Sequence, residues 1–409
     1  MFTPERPVGP APTFLQSIKS IICASWLNLL LVCIPVSWVL HFVLKDQDTI
    51  VFVFSFLAII PLAKLLAFAT DELSMRVGQT LAGLLNATLG NAVELIVAII
   101  ALVKCELDVV QSSLIGSILS NLLLVLGMCF FAGGLRFSEQ GFGAVATQLN
   151  SSLLTLSVIA VLLPAAFQMN VTTTTDPDSA QDILKISHGV ALILLFIYAS
   201  YLFFQLYSHA TLYADEGVQP STRYPQRNNG SDVEQSVTKE EEAEIPQMSL
   251  YTTIALLAIV TVLVAVTAEW LVDSINGLVE GGKISKEFVA LILLPIAGNA
   301  AEHVTAVTVS VKDKLTLSLG VAVGSSIQIA LFVIPFIVIL AWILGKPLTL
   351  LFDPYQSITL FLAVLTVNYC VQDGKSNWLE GMILMCLYLI IAVTFWYYPG
   401  NSAGAITCT

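Results

Sequence analysis

The chain has 409 residues, of which 56% are hydrophobic and only 11% are charged, and its mean hydropathy is +0.85. About a quarter of the residues in a soluble domain are usually charged, so this composition excludes an ordinary soluble protein and predicts that most of the chain lies in lipid. The formal net charge of −12 argues against a nucleic-acid partner and is compatible with the attraction of cations.

Long apolar stretches recur along the whole chain. About 20 apolar residues are needed to cross the ~30 Å hydrocarbon core of a membrane. The stretches are continuously apolar, whereas barrel strands alternate over about ten residues, so helices are predicted. We therefore expect an all-α polytopic membrane protein with about 11 transmembrane helices, at 25–44, 49–70, 80–103, 109–133, 143–169, 183–208, 249–273, 287–311, 315–344, 353–372 and 377–398.

Lysine and arginine in the loops indicate the orientation. The loops on the side of the N-terminus carry more of them, which predicts a cytosolic N-terminus. The expected organisation is a cytosolic N-terminal segment (1–24), helix 1 with its loop (25–48), a first repeat (49–208), an acidic cytosolic insert (209–248), a second repeat (249–399) and a C-terminal tail (400–409).

One short phrase occurs twice, as GNAVE at 90–94 and GNAAE at 298–302. The copies are 208 residues apart, and each is followed by a Gly-Ser pair at the same spacing, 116–117 and 324–325. The phrases fall in predicted helices 3 and 8, five crossings apart, so the second copy runs through the membrane in the opposite direction. Inverted repeats with a site near the midplane are typical of secondary transporters. This predicts one extra N-terminal helix followed by a 5+5 inverted repeat.

The residue types in the repeated phrases indicate a cation site. A carboxylate at mid-membrane costs about 2.5–3.5 kcal/mol on insertion scales, so Glu94 and Glu302 need a compensating partner. The possible metal-ligand atoms nearby are nearly all oxygens, which suit calcium, whereas zinc and copper favour His and Cys. The candidate metal ligands are Glu94, Glu302, Asn91, Asn299, Gly90, Gly298, Ser117, Ser325, Ser326 and Gln328, with Ser120 and Asn121 as further polar neighbours.

Two adjacent carboxylates in a low dielectric cannot both stay ionised without a cation, so at least one is expected to hold a proton. Calcium would displace that proton, as a cation/proton exchanger requires. Glu94, Glu302 and His303 are therefore the candidate proton-coupling residues.

Other interpretations of these residues remain open. The Gly-Asn pairs are also compatible with helix packing, and a buried glutamate with an ion pair to Lys64, although one lysine cannot serve both acids. His303 is also compatible with a role in orienting Glu302.

Two further acidic groups lie outside the repeated phrases. Asp71, Glu72 and Glu269, at predicted helix ends, either line a cation vestibule or are ordinary solvated residues. The insert begins with a turn-rich half that is expected to be disordered. Its second half is predicted to be helical and acidic, and it is either a solvated face or a regulatory calcium sensor with Glu240, Glu241, Glu242 and Glu244.

Several segments together resemble the vacuolar calcium/proton exchangers of fungi, within the calcium/cation antiporter superfamily. They are GNAVELIVAIIAL, ATDEL, GSILSNLLLVLG, LPIAGNAAEHVTAV, KDKLTLSLGVAVGSSIQIALFVIPF and SNWLEG. The resemblance extends from about helix 1 to helix 11. It implies a vacuolar membrane protein that moves calcium from the cytosol to the lumen in exchange for protons.

The resemblance also implies roles for residues. Glu94 and Glu302 would be ion ligands and proton carriers, with Asn91, Asn299, Ser325 and Gln328 beside them and a regulatory insert. Where the family pattern commonly reads ATEEL, this chain has Asp71, which is one methylene shorter.

The substrates and partners expected are calcium, protons and membrane lipid, with no cofactor beyond a possible regulatory calcium. The nearest alternatives are a sodium-coupled or manganese-transporting exchanger, and then a cation channel. An intramembrane enzyme is disfavoured because the chain has no HExxH motif.

Overall fold

Helices dominate the computed structural model, which describes residues 9–43, 47–170, 179–213, 220–224, 246–280 and 284–400. In the first half of the chain they are α1 (Phe14–Cys23), α2 (Cys33–Val43), α3 (Asp48–Ser74), α4 (Gln79–Leu89), α5 (Ala92–Val103), α6 (Leu107–Leu119), α7 (Leu126–Gly134), α8 (Ala144–Asn170) and α9 (Ser179–Phe203). In the second half they are α10 (Leu250–Val279), α11 (Lys286–Phe288), α12 (Leu294–Val311), α13 (Leu315–Gln328), α14 (Ile334–Ile343), α15 (Pro354–Cys370) and α16 (Trp378–Tyr397). The predicted all-α polytopic fold is confirmed.

Other helical forms extend or join several of these helices. 3-10 turns occupy Trp26–Val32 and Ala210–Tyr213, and π-helical segments occupy Ser120–Val125, Phe204–Ser208, Val289–Leu293 and Ile329–Val333. π-helical turns are rare and often occur at functional sites. Two of them directly follow the helices that carry the Gly-Ser pairs.

Nine helical stretches among the described residues are long and apolar enough to cross a membrane. The predicted third crossing is divided into α4 and α5, because Gly90 and Asn91 interrupt the helix. The predicted tenth crossing, α15, has 17 residues. A total of eleven crossings therefore remains a prediction.

The N-terminal segment contains a helix that was not expected. A capping box starts α1, with the Gln16 side chain accepting from the Thr13 backbone N–H at 2.9 Å. This is the S/T-x-x-E/Q signature that starts many helices. Phe14, Leu15 and Ile22 are exposed on α1.

A small antiparallel sheet closes one end of the bundle. Its strands, β1 (Phe137–Gly141), β2 (Thr222–Arg223) and β3 (Lys375–Ser376), lie in the order β2-β1-β3. The register pairs Phe137 with Arg223 and Gly141 with Lys375. Because β2 belongs to the insert, the expectation of disorder in its first half is wrong for residues 220–224; the rest of that half and the predicted acidic helix lie outside the described residues. We call this end of the bundle the insert face and the opposite end the distal face.

The helices that carry the repeated phrases lie against two long neighbours. The helix α3 packs along α10 and also contacts α12, while α10 contacts α5. The turn between α5 and α6 is separated from β1 by the single crossing that α6 and α7 form. It therefore lies at the distal face. The two GNA phrases thus reach the interior of the bundle from different helices.

Candidate functional site

Glu94 lies in the first turn of α5, immediately after the break at Gly90 and Asn91. Asn91 leaves the helical conformation, with φ −105° and ψ 34°. Free backbone N–H groups and the positive end of the helix dipole are found at such a start, and both favour a negative charge in the first turn. The local structure therefore stabilises a carboxylate at a depth where lipid alone would disfavour it.

The two repeated phrases meet inside the bundle. A Cβ added at Gly298 would lie 2.9 Å from Glu94 Oε1, so the absence of a side chain makes room for the carboxylate. Glu302 follows one turn later on α12 and interacts electrostatically with both Glu94 and Asp71. Two acids from distant parts of the chain thus share one region.

Several polar atoms in this region are buried without a hydrogen-bond partner. They are the carboxylate oxygens Glu94 Oε1 and Glu302 Oε2 and the amide nitrogens Asn91 Nδ2 and Asn299 Nδ2. Leaving a buried polar group unsatisfied costs about 1–3 kcal/mol, and more for a charged group. A proton or a cation would satisfy the two oxygens.

A hydrogen-bond chain fixes the amides beside the carboxylates. Ser325 Oγ donates to Asn91 Oδ1 at 2.6 Å, and Asn121 Nδ2 donates to Ser325 Oγ at 3.0 Å. The chain links α5, the π-helical segment after α6, and α13. Asn91 is therefore held by residues from both halves of the sequence.

The other predicted site residues have different partners. His303 Nε2 lies 3.4 Å from Ser120 Oγ. Ser326 Oγ donates to Ala322 O within its own helix, at 2.9 Å. Gln328 Oε1 approaches Gly90, at 3.6 Å from the position of an added Cβ. Of these polar groups, Ser326 is the one whose hydroxyl is directed to its own backbone.

A small cavity lies beside Glu94. Its polar lining includes Ser113 and Ser117 on α6, and Gly298 and Pro295 on α12 contribute to its wall. These elements place it on the distal side of the carboxylate. Ser113 was not predicted as a site residue, because its equivalent 208 positions later is a valine and the duplication carries no signal there.

Asp71 and Glu72 are adjacent in sequence but have different surroundings. Asp71 is exposed, whereas Glu72 is buried and paired with Arg76 at 3.3 Å. The Glu72 carboxylate also accepts the backbone N–H groups of Gln247 at 3.0 Å and Met248 at 3.2 Å. Glu72 thus anchors the end of the insert, whereas Asp71 has the exposure that a vestibule acid needs.

Glu269 is an ion-paired residue near the distal face. Its carboxylate lies 3.0 Å from Lys104 Nζ, and Asp273 lies 2.9 Å from the same nitrogen. Hydrogen bonds to Asp273 and Glu269 raise the pKa of the Lys104 ammonium. The pairs join α10 to the end of α5, at the opposite end of the bundle from Asp71.

Lys64 lies near the site but does not pair with its acids. Its Nζ donates to Thr305 Oγ1 at 3.4 Å, and it interacts electrostatically with Asp71. No ion pair joins Lys64 to Glu94 or Glu302 within the described residues. The structural ion-pair interpretation of the two glutamates therefore has no support in these contacts.

The insert acids Glu240, Glu241, Glu242 and Glu244 lie outside the described residues. Among the residues that are described, no three His, Cys, Asp or Glu side chains gather into a metal cluster. A cation at the carboxylate pair would therefore have to complete its coordination with amide, hydroxyl or backbone oxygens.

Sequence comparisons identify relatives over nearly the full chain. The family model described as sodium/calcium exchanger protein matches residues 47–207 and 252–397. A vacuolar calcium ion transporter of Cryptococcus neoformans is 53% identical, over 99% of this chain and 79% of that protein. A Ca(2+)/H(+) antiporter of Synechocystis is 44% identical, over 90% of this chain and 96% of that protein.

Solved structures also match the fold. The structure of native YfkE is 30% identical with a TM-score of 0.73, covering 91% of this chain and all of that one. The H+/Ca2+ exchanger CAX has a TM-score of 0.65 at 14% identity, covering 96% of this chain and 91% of that one, and it supports the fold alone.

Proposed function

Because this chain belongs to the sodium/calcium exchanger protein family, we propose that it is a secondary antiporter that exchanges cytosolic calcium for lumenal protons. The names of the relatives, vacuolar calcium ion transporter and Ca(2+)/H(+) antiporter, support this choice of ions. They also support a location in the vacuolar membrane. A cytosolic N-terminus remains the orientation favoured by the loop charges.

One observation carries the proposal: the contact between Glu94 and the second repeated phrase. Glu94 Oε1 is unpartnered and lies against Gly298, one turn before Glu302. Two carboxylates balance the double charge of calcium, and calcium accepts six to eight oxygen ligands in flexible geometry. In the proposed site, Asn91, Asn299, Ser117 and Ser325 supply neutral oxygens near this pair, and Gly90 leaves room for a close approach to the backbone.

Competition for the carboxylates couples the two ions. The bare site with two ionised acids is penalised in the low dielectric of the bundle, so it is occupied either by calcium or by protons. His303, beside Glu302 and within reach of Ser120, is the proposed orienting group or proton relay. The transporter can then change the side of the membrane to which its site opens when the site is loaded, whereas this change is disfavoured when the site is empty.

The inverted repeat provides a basis for alternating access. Equivalent positions in the two halves have equivalent backbones: Cys105 and Asp313, 208 residues apart, both have positive φ, 60° and 63°. Both follow the helix that carries a GNA phrase. Two related halves with opposite direction can exchange conformations across a shared central site.

Energetics favour more than one proton per calcium. Each tenfold gradient costs ~1.4 kcal/mol, and each charge moved against 100 mV costs ~2.3 kcal/mol. A single proton supplies too little free energy across ordinary pH differences to move a divalent ion up a large gradient.

Ion flux in proteoliposomes of the purified chain tests the proposal. We expect calcium uptake driven by a pH gradient, collapse of uptake with a protonophore, and loss of at least ~90% of it in Glu94→Gln and in Glu302→Gln. Glu139→Gln is a matched control. Glu139 forms a surface ion pair with Lys375, and loss of a surface pair has a much smaller energetic effect than loss of a buried charge. Uptake that survives either buried substitution would rule out this site.

Sodium coupling is the alternative, and the names of the relatives do not favour it. Uptake that follows an imposed sodium gradient at equal pH would identify it. Single-channel currents far above carrier turnover would instead identify a channel.

A further inference from the structure

A buried acid lies near the distal face, away from the carboxylate pair. Glu287 is the middle residue of α11 and is only 9% exposed. Ser112 Oγ donates to Glu287 Oε2 at 2.7 Å, and Gln356 Nε2 donates to the same oxygen at 2.5 Å. Ser112 and Gln356 are 1% and 2% exposed. The carboxylate is therefore enclosed by side chains from α6 and α15.

Glu287 has no ion-pair partner within the described residues. The adjacent Lys286 pairs with Glu106 instead. A buried carboxylate without a counter-charge is costly when it is ionised, and nearby acids increase that cost. The charged or titratable groups that interact with Glu287 are Lys286, Asp108, Asp353 and Tyr398.

The side chain of Gln356 has an unused acceptor. Its Oε1 is buried without a hydrogen-bond partner, while its Nε2 donates both to Glu287 and to Ser112 Oγ, the latter at 2.8 Å. An ionised carboxylate only accepts hydrogen bonds, whereas a protonated one also donates one. If the amide turns over, Oε1 takes the place of Nε2 and accepts from protonated Glu287. Gln356 can therefore pair with both protonation states of the acid.

A proton fits this position better than a metal ion. Calcium takes six to eight oxygen ligands. In the described part of the chain, no three His, Cys, Asp or Glu side chains gather into a metal cluster. The groups that touch Glu287, a hydroxyl and an amide, are those that hold a carboxylic acid as readily as a carboxylate.

The arrangement is present at one end of the molecule only. The positions 208 residues from Glu287 and Ser112 are Gln79 and Gly320. The repeated half therefore has neither the acid nor the hydroxyl at the equivalent place. A group that exists at one end alone can respond to the pH on one side of the membrane.

The buried acid is also close to the cavity beside Glu94. Ser113, which follows Ser112 on α6, lines that cavity. Leu294, about two helical turns after Glu287, lines it as well. Glu287 thus lies between the distal end of the bundle and the carboxylate pair.

We propose that Glu287 is a second proton-binding site, which takes up protons from the distal side and releases them towards Glu94 and Glu302. The incoming proton converts the carboxylate to a carboxylic acid, and its departure restores the carboxylate. Ser112 and Gln356 are positioning residues that supply hydrogen bonds in both states. This inference rests on the proposed exchange of calcium for protons, with the distal side as the lumenal side.

The first test is Glu287→Gln, which keeps the shape of the side chain but removes the carboxyl group. Calcium uptake is measured in sealed vesicles with the pH of the distal side varied and that of the other side fixed. We expect the dependence on distal pH to be lost, with uptake at acidic distal pH at least fivefold slower. The KM for calcium should stay within twofold, because the central carboxylates are unchanged. Asp182→Asn is the matched control, an exposed acid at the distal start of α9.

The second test detects the proton without transport. Infrared difference spectra of the purified protein between neutral and acidic pH show a C=O band for each carboxyl group that becomes protonated. We expect one band to be missing in Glu287→Gln and to shift in frequency in Gln356→Met, because this frequency depends on hydrogen bonding. Gln111→Met is the control, since Gln111 on α6 donates to the backbone carbonyls of Thr349 and Leu351 instead. Thermal unfolding checks that each variant is folded.

The two tests distinguish the proton site from the proposed function. A C=O band that disappears in Glu287→Gln, in a protein without proton-driven calcium uptake, would support the proton site and reject the antiporter. Parent-like dependence of uptake on distal pH in Glu287→Gln, or an infrared difference spectrum identical to that of the parent, would overturn the proton site.

Discussion

At the residue scale, the site depends on a carboxylate placed against a glycine. Glu94 is buried in the first turn of a helix, and its Oε1 occupies the space that a side chain at position 298 would fill. The glycine is therefore needed for the space that it leaves, since it lies within the continuous helix α12. The contact is not reciprocal, because the neighbours of the corresponding Gly90 are Asn86 O and Gln328 Oε1.

Gly298→Ala tests this arrangement. Its methyl would lie 2.9 Å from Glu94 Oε1 and must displace the carboxylate. We expect the KM for calcium to rise about tenfold or more with little change in thermal stability, because the end of a flexible side chain can move. Gly143→Ala is the control, with its nearest contact at an ordinary 3.9 Å. Unchanged calcium affinity in Gly298→Ala would contradict the proposed geometry.

The sequence predicted the chemistry of these residues but not their individual partners. Asp71 and Glu72 have the same charge and adjacent positions, so no local pattern separates them. Their roles differ because α3 turns one carboxylate outward and the other towards Arg76 and the backbone of Met248. The burial of Glu72 thus depends on residues about 170 positions away in the sequence.

At the element scale, charged turns hold helix ends together. The turn after α5 holds α10 and α11 through two contacts to Glu106: Lys286 Nζ of α11 lies 2.5 Å from Glu106 Oε2, and Asn276 Nδ2 of α10 donates to Glu106 Oε1 at 2.8 Å. Burial raises the pKa of Glu106, but the hydrogen bonds from Lys286 and Asn276 outweigh it and leave the pKa below its ordinary value of 4.5. This distal connection is therefore pH-dependent.

We predict that Lys286→Met lowers the thermal stability at pH 7 and that the difference shrinks under acid. A carboxyl group with a lowered pKa in the folded state stabilises the protein above its ordinary pKa, and the contribution is lost as pH falls through the lower value. Thermal unfolding of both proteins from pH 7 to about pH 3 measures this. Lys185→Met is the control, because the Lys185–Asp182 pair is exposed. A pH-independent difference would exclude the linkage.

At the scale of the whole molecule, the insert is attached to both repeats. Its first half joins the sheet through β2, and Ser221 Oγ donates to Asp313 Oδ1 at 2.6 Å, just beyond the end of α12. Its last residues, Gln247 and Met248, bind Glu72 at the end of α3. The insert is thus connected to the helices that carry Glu302 and Asp71.

These attachments give the proposed regulatory role of the insert a physical route. Replacing Glu240, Glu241, Glu242 and Glu244 together by glutamine should change the dependence of transport on cytosolic calcium by several-fold while leaving the central site able to bind. The measurement is the initial uptake rate against calcium concentration. A superimposable curve would remove the sensor proposal.

The sequence by itself determined the membrane class, the helix-rich fold and the two oxygen-rich phrases, because hydropathy, length and duplication are properties of local or repeated segments. It did not predict that GNAVE would break a helix and GNAAE would lie within one, since the phrases are nearly identical. Only the tertiary structure decided that difference: α11 and its continuation pack onto α6, whereas α4 packs against the end of α3 and the 204–208 segment. Helix packing depends on which surfaces meet in space, and two equivalent sequences can occupy different surroundings in one molecule.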